Sequence, residues 1–317
     1  MQPTEGDQAG FFGPVLGDGR PLLLVTAGCL LFAGAFSTFL AATGEFLPHD
    51  IHYLGMSAAD LCQVASCRIV DFMIHDRAAF GGALLGIGVL YVWLTVFPLA
   101  QGEPWAWWTW LVSATVGFAS FLAYLGYGYL DTWHGVGTLA MLPILVTGMV
   151  RTRSLLTRPT DPRSLLRLPA WLRPPSRFSL GRLILLLGAG ATAVGGLTIL
   201  WVGVTDTFVP EDLEFMGLSA QQLRAINPRL VPLIAHDRAG FGGGVLTLGL
   251  TTLLCLWGAR PSRHQHQAVA LAGGLSLTAA LGIHQVVGYT DFGHLLPALG
   301  GAATLVTGLA LSHPGRA

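Results

Sequence analysis

The chain has 317 residues, of which 17 are basic and 17 acidic, so its formal net charge is zero; only 11% of residues are charged and the mean hydropathy is +0.60. A water-soluble domain carries about 25% charged residues. This composition excludes a soluble enzyme or a nucleic-acid-binding domain and selects an all-α integral membrane protein.

The segment from Met1 to Arg20 is acidic and Gly-rich and has no basic region ahead of an apolar core, so it does not read as a cleaved signal peptide. Eight apolar stretches then follow, each near the roughly 20 helical residues that span ~30 Å of hydrocarbon. They run Leu22 to Ala42, Ala78 to Ala100, Trp105 to Leu125, His134 to Val150, Leu183 to Val204, Ala239 to Trp257, Ala268 to Val287 and Leu295 to Leu311. Lys is absent, and eight of the 17 Arg fall between Arg151 and Arg182. The positive-inside rule makes that loop cytoplasmic, with Arg260 and Arg263 in agreement, so both termini are cytoplasmic too. Single Arg residues among Leu and Pro suit a loop lying on anionic lipid.

An internal repeat organises the chain. PHDIHYLGMSAADL at Pro48 recurs as PEDLEFMGLSAQQL at Pro210, IHDRAAFGGALLGIG around His75 as AHDRAGFGGGVLTLG around His236, and YLDTWH ending at His134 as YTDFGH ending at His294. The expected organisation is therefore a four-helix repeat over 1–150, an Arg-rich linker over 151–182 and a second four-helix repeat over 183–317. An even number of spans per half gives both halves one orientation, with the repeated motifs on the outer face. Ser57 with Asp60, and Ser219 with Gln222, have capping-box spacing and predict short surface helices over those motifs.

His75 and His134 begin the second and fourth spans, and His236 and His294 repeat them. Paired imidazoles inside a four-helix bundle can ligate haem iron. A porphyrin needs small residues a turn or two below each ligand; Gly82 is seven after His75, Gly240 and Gly243 are four and seven after His236, Gly300 and Gly301 six and seven after His294, and Gly137 three after His134. Arg77 and Arg238 suit haem propionates, or else pair with the adjacent Asp76 and Asp237. Asp131 and Asp291 read as helix N-caps, and Tyr129 and Tyr289 as interfacial anchors. His284 aligns with Tyr124 and breaks the repeat within a span, where ionisable residues are functional by default. Cys62 and Cys67 align with Arg224 and Arg229; five apart on one helix they are too distant for a disulfide, so a bridge requires the helix to break before Cys67.

These features together resemble the haem A synthase family. The resemblance implies two tandem four-helix halves, a substrate haem flanked by His75 and His134, a haem b cofactor on His236 and His294, and Cys62 with Cys67 as the loop pair. Asp71, four before His75, and Asp76 and Asp237, between His and Arg, are the candidate catalytic acids. The functional expectation is a haem-binding redox protein of a bacterial plasma membrane, with a quinone or another membrane redox protein as partner. A transporter and a noncatalytic subunit of a membrane complex are the alternatives.

Overall fold

The computed structural model describes residues 16–65, 67–122, 129, 132–157, 162, 165, 168–169, 171 and 176–313. Among these, the first half supplies α1 (Arg20–Thr43), α2 (Pro48–Leu54), α3 (Ala58–Ala65), α4 (Arg68–Val96), α5 (Pro104–Leu122) and α6 (Thr132–Thr152). The second half supplies α7 (Arg177–Val204), α8 (Pro210–Met216), α9 (Ala220–Ile226), α10 (Leu230–Gly258), α11 (Arg263–Val287) and α12 (Phe292–Leu311). Each half thus runs long, short, short, long, long, long. The second half begins at Arg177, six residues ahead of the expected boundary, because Ser176 accepts the backbone N–H of Ser179 and caps α7.

Seven helices are long and apolar enough to cross a membrane, which makes this a multi-pass membrane protein. They are all the long helices except α5, the expected third span. Trp105, Trp107, Trp108 and Trp110 crowd the first two turns of α5.

Glycine decides which helices sit at the centre. In the most apolar stretch of α4 and of α10, 72% and 56% of residues are buried, against at most 22% in any other spanning helix. Helix α1 packs along α4 and α7 along α10, and α4 and α10 also meet each other. A Cβ on Gly34 would stand 2.7 Å from the Gly81 carbonyl oxygen, and one on Gly196 or Gly242 would collide with the backbone of Leu246 or Leu200. Without a hydrophobic drive between helices in lipid, such close approach is what holds them.

The third long helix of each half crosses over. Helix α11 lies along α4, and α5 lies along α10, while α6 and α12 lean on α1 and α7. Two self-contained four-helix bundles are therefore not formed, and the halves interdigitate. Gly82 and Gly86 make the surface that receives α11: the Ser276 hydroxyl donates to the Gly82 carbonyl at 2.8 Å, and a Cβ on Gly82 would lie 2.6 Å from Ala279 Cβ.

The short helices α2, α3, α8 and α9 gather at one end. Both predicted capping boxes are present, with Ser57 accepting from Asp60 N at 3.1 Å and Ser219 from Gln222 N at 3.2 Å. The halves also exchange contacts here: Arg68 donates to the Phe215 carbonyl at 3.1 Å, and Arg229 to that of Tyr53 at 2.7 Å. Arg229 is thus the counterpart of Arg68 rather than of Cys67, because the second copy is one residue shorter between its surface helices and its HDR motif. Helix α3 ends at Ala65, and Cys67 turns the chain with φ 60°, so Cys62 and Cys67, joined by a disulfide, have Cα atoms 3.9 Å apart.

Candidate functional site

The third turn of α4 carries His75 and the corresponding turn of α10 carries His236, only 2% and 3% exposed. His134 and His294 sit in the first turns of α6 and α12, the latter capped by Asp291, whose carboxylate accepts His294 N–H at 2.9 Å. The crossing of α11 and α5 decides which rings meet. His294 faces His75 with ring centroids 5.5 Å apart, and His134 faces His236 at the same separation. The pairs expected within each half, His75 with His134 and His236 with His294, are replaced by pairs between halves. Tyr124 and Asp131 lie outside the described residues.

A third imidazole joins His75 and His294. His284, near the end of α11, brings Nε2 to 3.1 Å from His75 Nε2, and its ring lies 4.4 Å from that of His75 and 5.1 Å from that of His294. One ring nitrogen from each of the three lies within 4.8 Å of the others. The remaining contacts set the tautomers. His284 Nδ1 donates to the Ala280 carbonyl, 2.5 Å away, since a carbonyl only accepts. His75 Nδ1 lies 3.0 Å from Asp76 Oδ1, where a carboxylate also accepts. With both Nδ1 atoms as donors, the Nε2 atoms face each other across 3.1 Å, a contact that either a shared proton or a metal cation between them satisfies.

Around these rings runs a buried charge network built from both HDR motifs. Arg77 binds Asp237 at 2.8 Å and Asp50 at 2.9 Å; Arg238 binds Asp212 at 2.9 Å and reaches Asp76 at 3.9 Å. Each Arg therefore pairs with the Asp of the opposite motif and with one of the surface-helix Asp residues, in place of its own neighbour or a haem propionate. Tyr129 donates to Asp50 at 2.5 Å and Tyr289 to Asp212 at 3.1 Å. Both phenols are buried, so they are network donors rather than interfacial anchors. Tyr289 touches all three imidazoles, stacking on His294 at 4.0 Å. Burial raises the Asp212 carboxyl above its ordinary value despite Arg238, and burial next to Asp212 raises the Tyr289 phenol. Four carboxylates face two guanidinium groups, an excess of negative charge that a bound cation would offset.

The other candidates divide. Asp76 and Asp237 belong to the network, whereas Asp71 lies in the first turn of α4 and makes no ion pair with it among the described residues. Gly82 and Gly243, the expected porphyrin cradle, are filled: Ser276 and Ala279 of α11 cover the first and Ser120 of α5 covers the second. Gly137 and Gly300 face open space on the outer helices. Gly82 and Gly243 thus serve helix packing, whereas Gly137 below His134 and Gly300 below His294 stay uncovered.

Asp50 and Asp212 were legible in outline, being the only acidic residue that PHDIH and PEDLE share, yet their alignment alone named no partner. No known family model matches the chain, and no curated protein or solved structure is similar to it.

Proposed function

We propose that the protein is a membrane-embedded transition-metal protein with a redox role, whose metal sits on His75, His284 and His294 near the outer face. The observation that carries this reading is the pair of facing Nε2 atoms at 3.1 Å. Two imidazoles bound tetrahedrally at ~2.0–2.1 Å hold their nitrogens about 3.3 Å apart. The carboxylate–imidazole pair Asp76–His75 supplies the outer support that metal-binding histidines usually have. An all-imidazole set suits copper, zinc, iron or nickel, and Tyr289, in contact with all three rings, favours a redox-active ion among them. The Arg-rich linker, on this reading, lies on the cytoplasmic side and α5 supplies an eighth span. Its 19 residues reach about 28 Å at 1.5 Å each.

The test is metal analysis, optical and paramagnetic resonance spectra of purified protein loaded with copper, zinc or iron(II). A single tightly held ion is expected, with affinity lowered at least tenfold in His75→Ala and His284→Ala and kept in His134→Ala. Sharp porphyrin bands lost in both His75→Ala and His134→Ala would return the protein to the haem reading. Protein that binds neither metal nor haem would end both.

A further inference from the structure

At the end of the molecule opposite the histidines, Arg182 is only 4% exposed and has no carboxylate partner among the described residues. It rises from the second turn of α7 into a cleft between α7, α11 and α12 lined by Ser262, Gln265, His266 and Ser312. Its Nη1 donates to the Gln265 side-chain carbonyl at 2.9 Å and its Nη2 to the Leu256 carbonyl at 2.5 Å, at the C-terminal end of α10. Both acceptors are neutral. Its Nε–H has no hydrogen-bond partner, and Trp171 covers the guanidinium at 4.8 Å.

A buried charge without a carboxylate partner is costly, and the charged side chains beside this cleft among the described residues have the same sign. Arg177, Arg260 and Arg263 flank it in sequence, and no Asp or Glu occurs in residues 176–188, 258–270 or 305–317. The N-termini of α7 and α11, both long helices, open here with positive potential, while α10 and α12 end here, α10 giving the Leu256 and Ala259 carbonyls to the guanidinium. The first half handles its counterpart differently. Arg20, at the corresponding place on α1, is bound by Asp18 at 2.7 Å and is part exposed. The repeat thus contains one such Arg with an internal counter-ion and one without.

From this we infer that the Arg182 cleft binds a phosphate group, supplied by an anionic phospholipid of the leaflet it faces. The phosphate oxygens sit at the mouth of the cleft beside Ser262 and His266 and are drawn by the buried Arg182 guanidinium behind them, whose Nε is the donor without a partner, while the two terminal nitrogens keep their carbonyls. The site lies in the layer where headgroups sit, and such basic pockets between helices suit anionic lipids.

The full-length protein, purified in neutral detergent with phosphatidylcholine alone, is titrated with phosphatidylglycerol and separately with inorganic phosphate, reading melting temperature and retained adducts by native mass spectrometry. The expected result is a stabilising shift and adduct with phosphatidylglycerol, reduced about tenfold in affinity by Arg182→Gln, which removes the charge, and unchanged by Arg20→Gln. Inorganic phosphate giving the same Arg182-dependent shift would identify free phosphate as the source. Should Arg182→Gln fail to fold, Gln265→Glu serves instead: it supplies an internal counter-ion at the cost of the Gln265 Nε2 hydrogen bond to the Cys255 carbonyl, and it should abolish the shift. Anion effects that survive both substitutions, or an absence of any anion effect on the parent protein, would overturn the inference.

Discussion

The two halves carry the same HDR motif at the same depth of equivalent helices, yet the motifs live in different company. His75 meets His284 and His294, with Tyr289 against all three rings. His236 meets His134 and, edge-on, Tyr129, and residues 104–131 contain no histidine to supply a third imidazole. The charge networks differ in the same direction. Arg77 holds two carboxylates within 2.9 Å, whereas Arg238 holds one that close and stands 3.9 Å from the next. A repeated sequence has thus produced a tight structural tie on one side and a ligand-competent cluster on the other.

That asymmetry is open to test, beginning with its largest consequence. Arg77→Ala strands Asp50 and Asp237 in the interior and should cost about 3–5 kcal/mol, seen as a lowered melting temperature in detergent. Arg238→Ala should cost distinctly less, and equal losses would mean the two networks are equivalent. Gly196→Ala should cost up to ~3 kcal/mol, because the atoms its Cβ meets are backbone and cannot give way. Gly300→Ala, with nothing within 4 Å, should stay within about 0.5 kcal/mol by the same melting assay. Replacing Cys62 and Cys67 together by Ser removes a short closed loop that only the first half has, at a cost of about 2 kcal/mol in chemical denaturation. The most discriminating effect is on the metal: His284→Tyr should lower metal affinity about tenfold in equilibrium dialysis. If His284→Tyr leaves affinity intact, the third imidazole is not a ligand.

Much of the fold was legible because apolar length and repeated motifs are local properties. Seven of the eight stretches, the capping boxes at Ser57 and Ser219 and the break ahead of Cys67 all follow from residues within a turn or two of each other. The crossing of α5 and α11 was not legible, since it depends on which glycine face of α4 receives which distant helix. Gly82 offers a flat surface equally to a porphyrin or to Ser276, and nothing near it in sequence decides between them. The same blindness reassigned the partners of Asp76, Arg77, Asp237 and Arg238, which lie adjacent in sequence but pair across the molecule. His284 was visible as a break in the repeat, although its neighbours could be known only once α11 was seen lying on α4.

The crossing of these helices also sets an order on assembly. When α4 first enters the membrane, the face that will receive α11 is bare, and the Arg77 that will bind Asp237 has only Asp50 to hold. Neither half can complete its interior until the other has been made. The three imidazoles come from α4, α11 and α12, so the last helix inserted brings the last of the proposed ligands. A chain halted before α12 would carry the first two without the third, and capture of the ion would report that synthesis had run to the end.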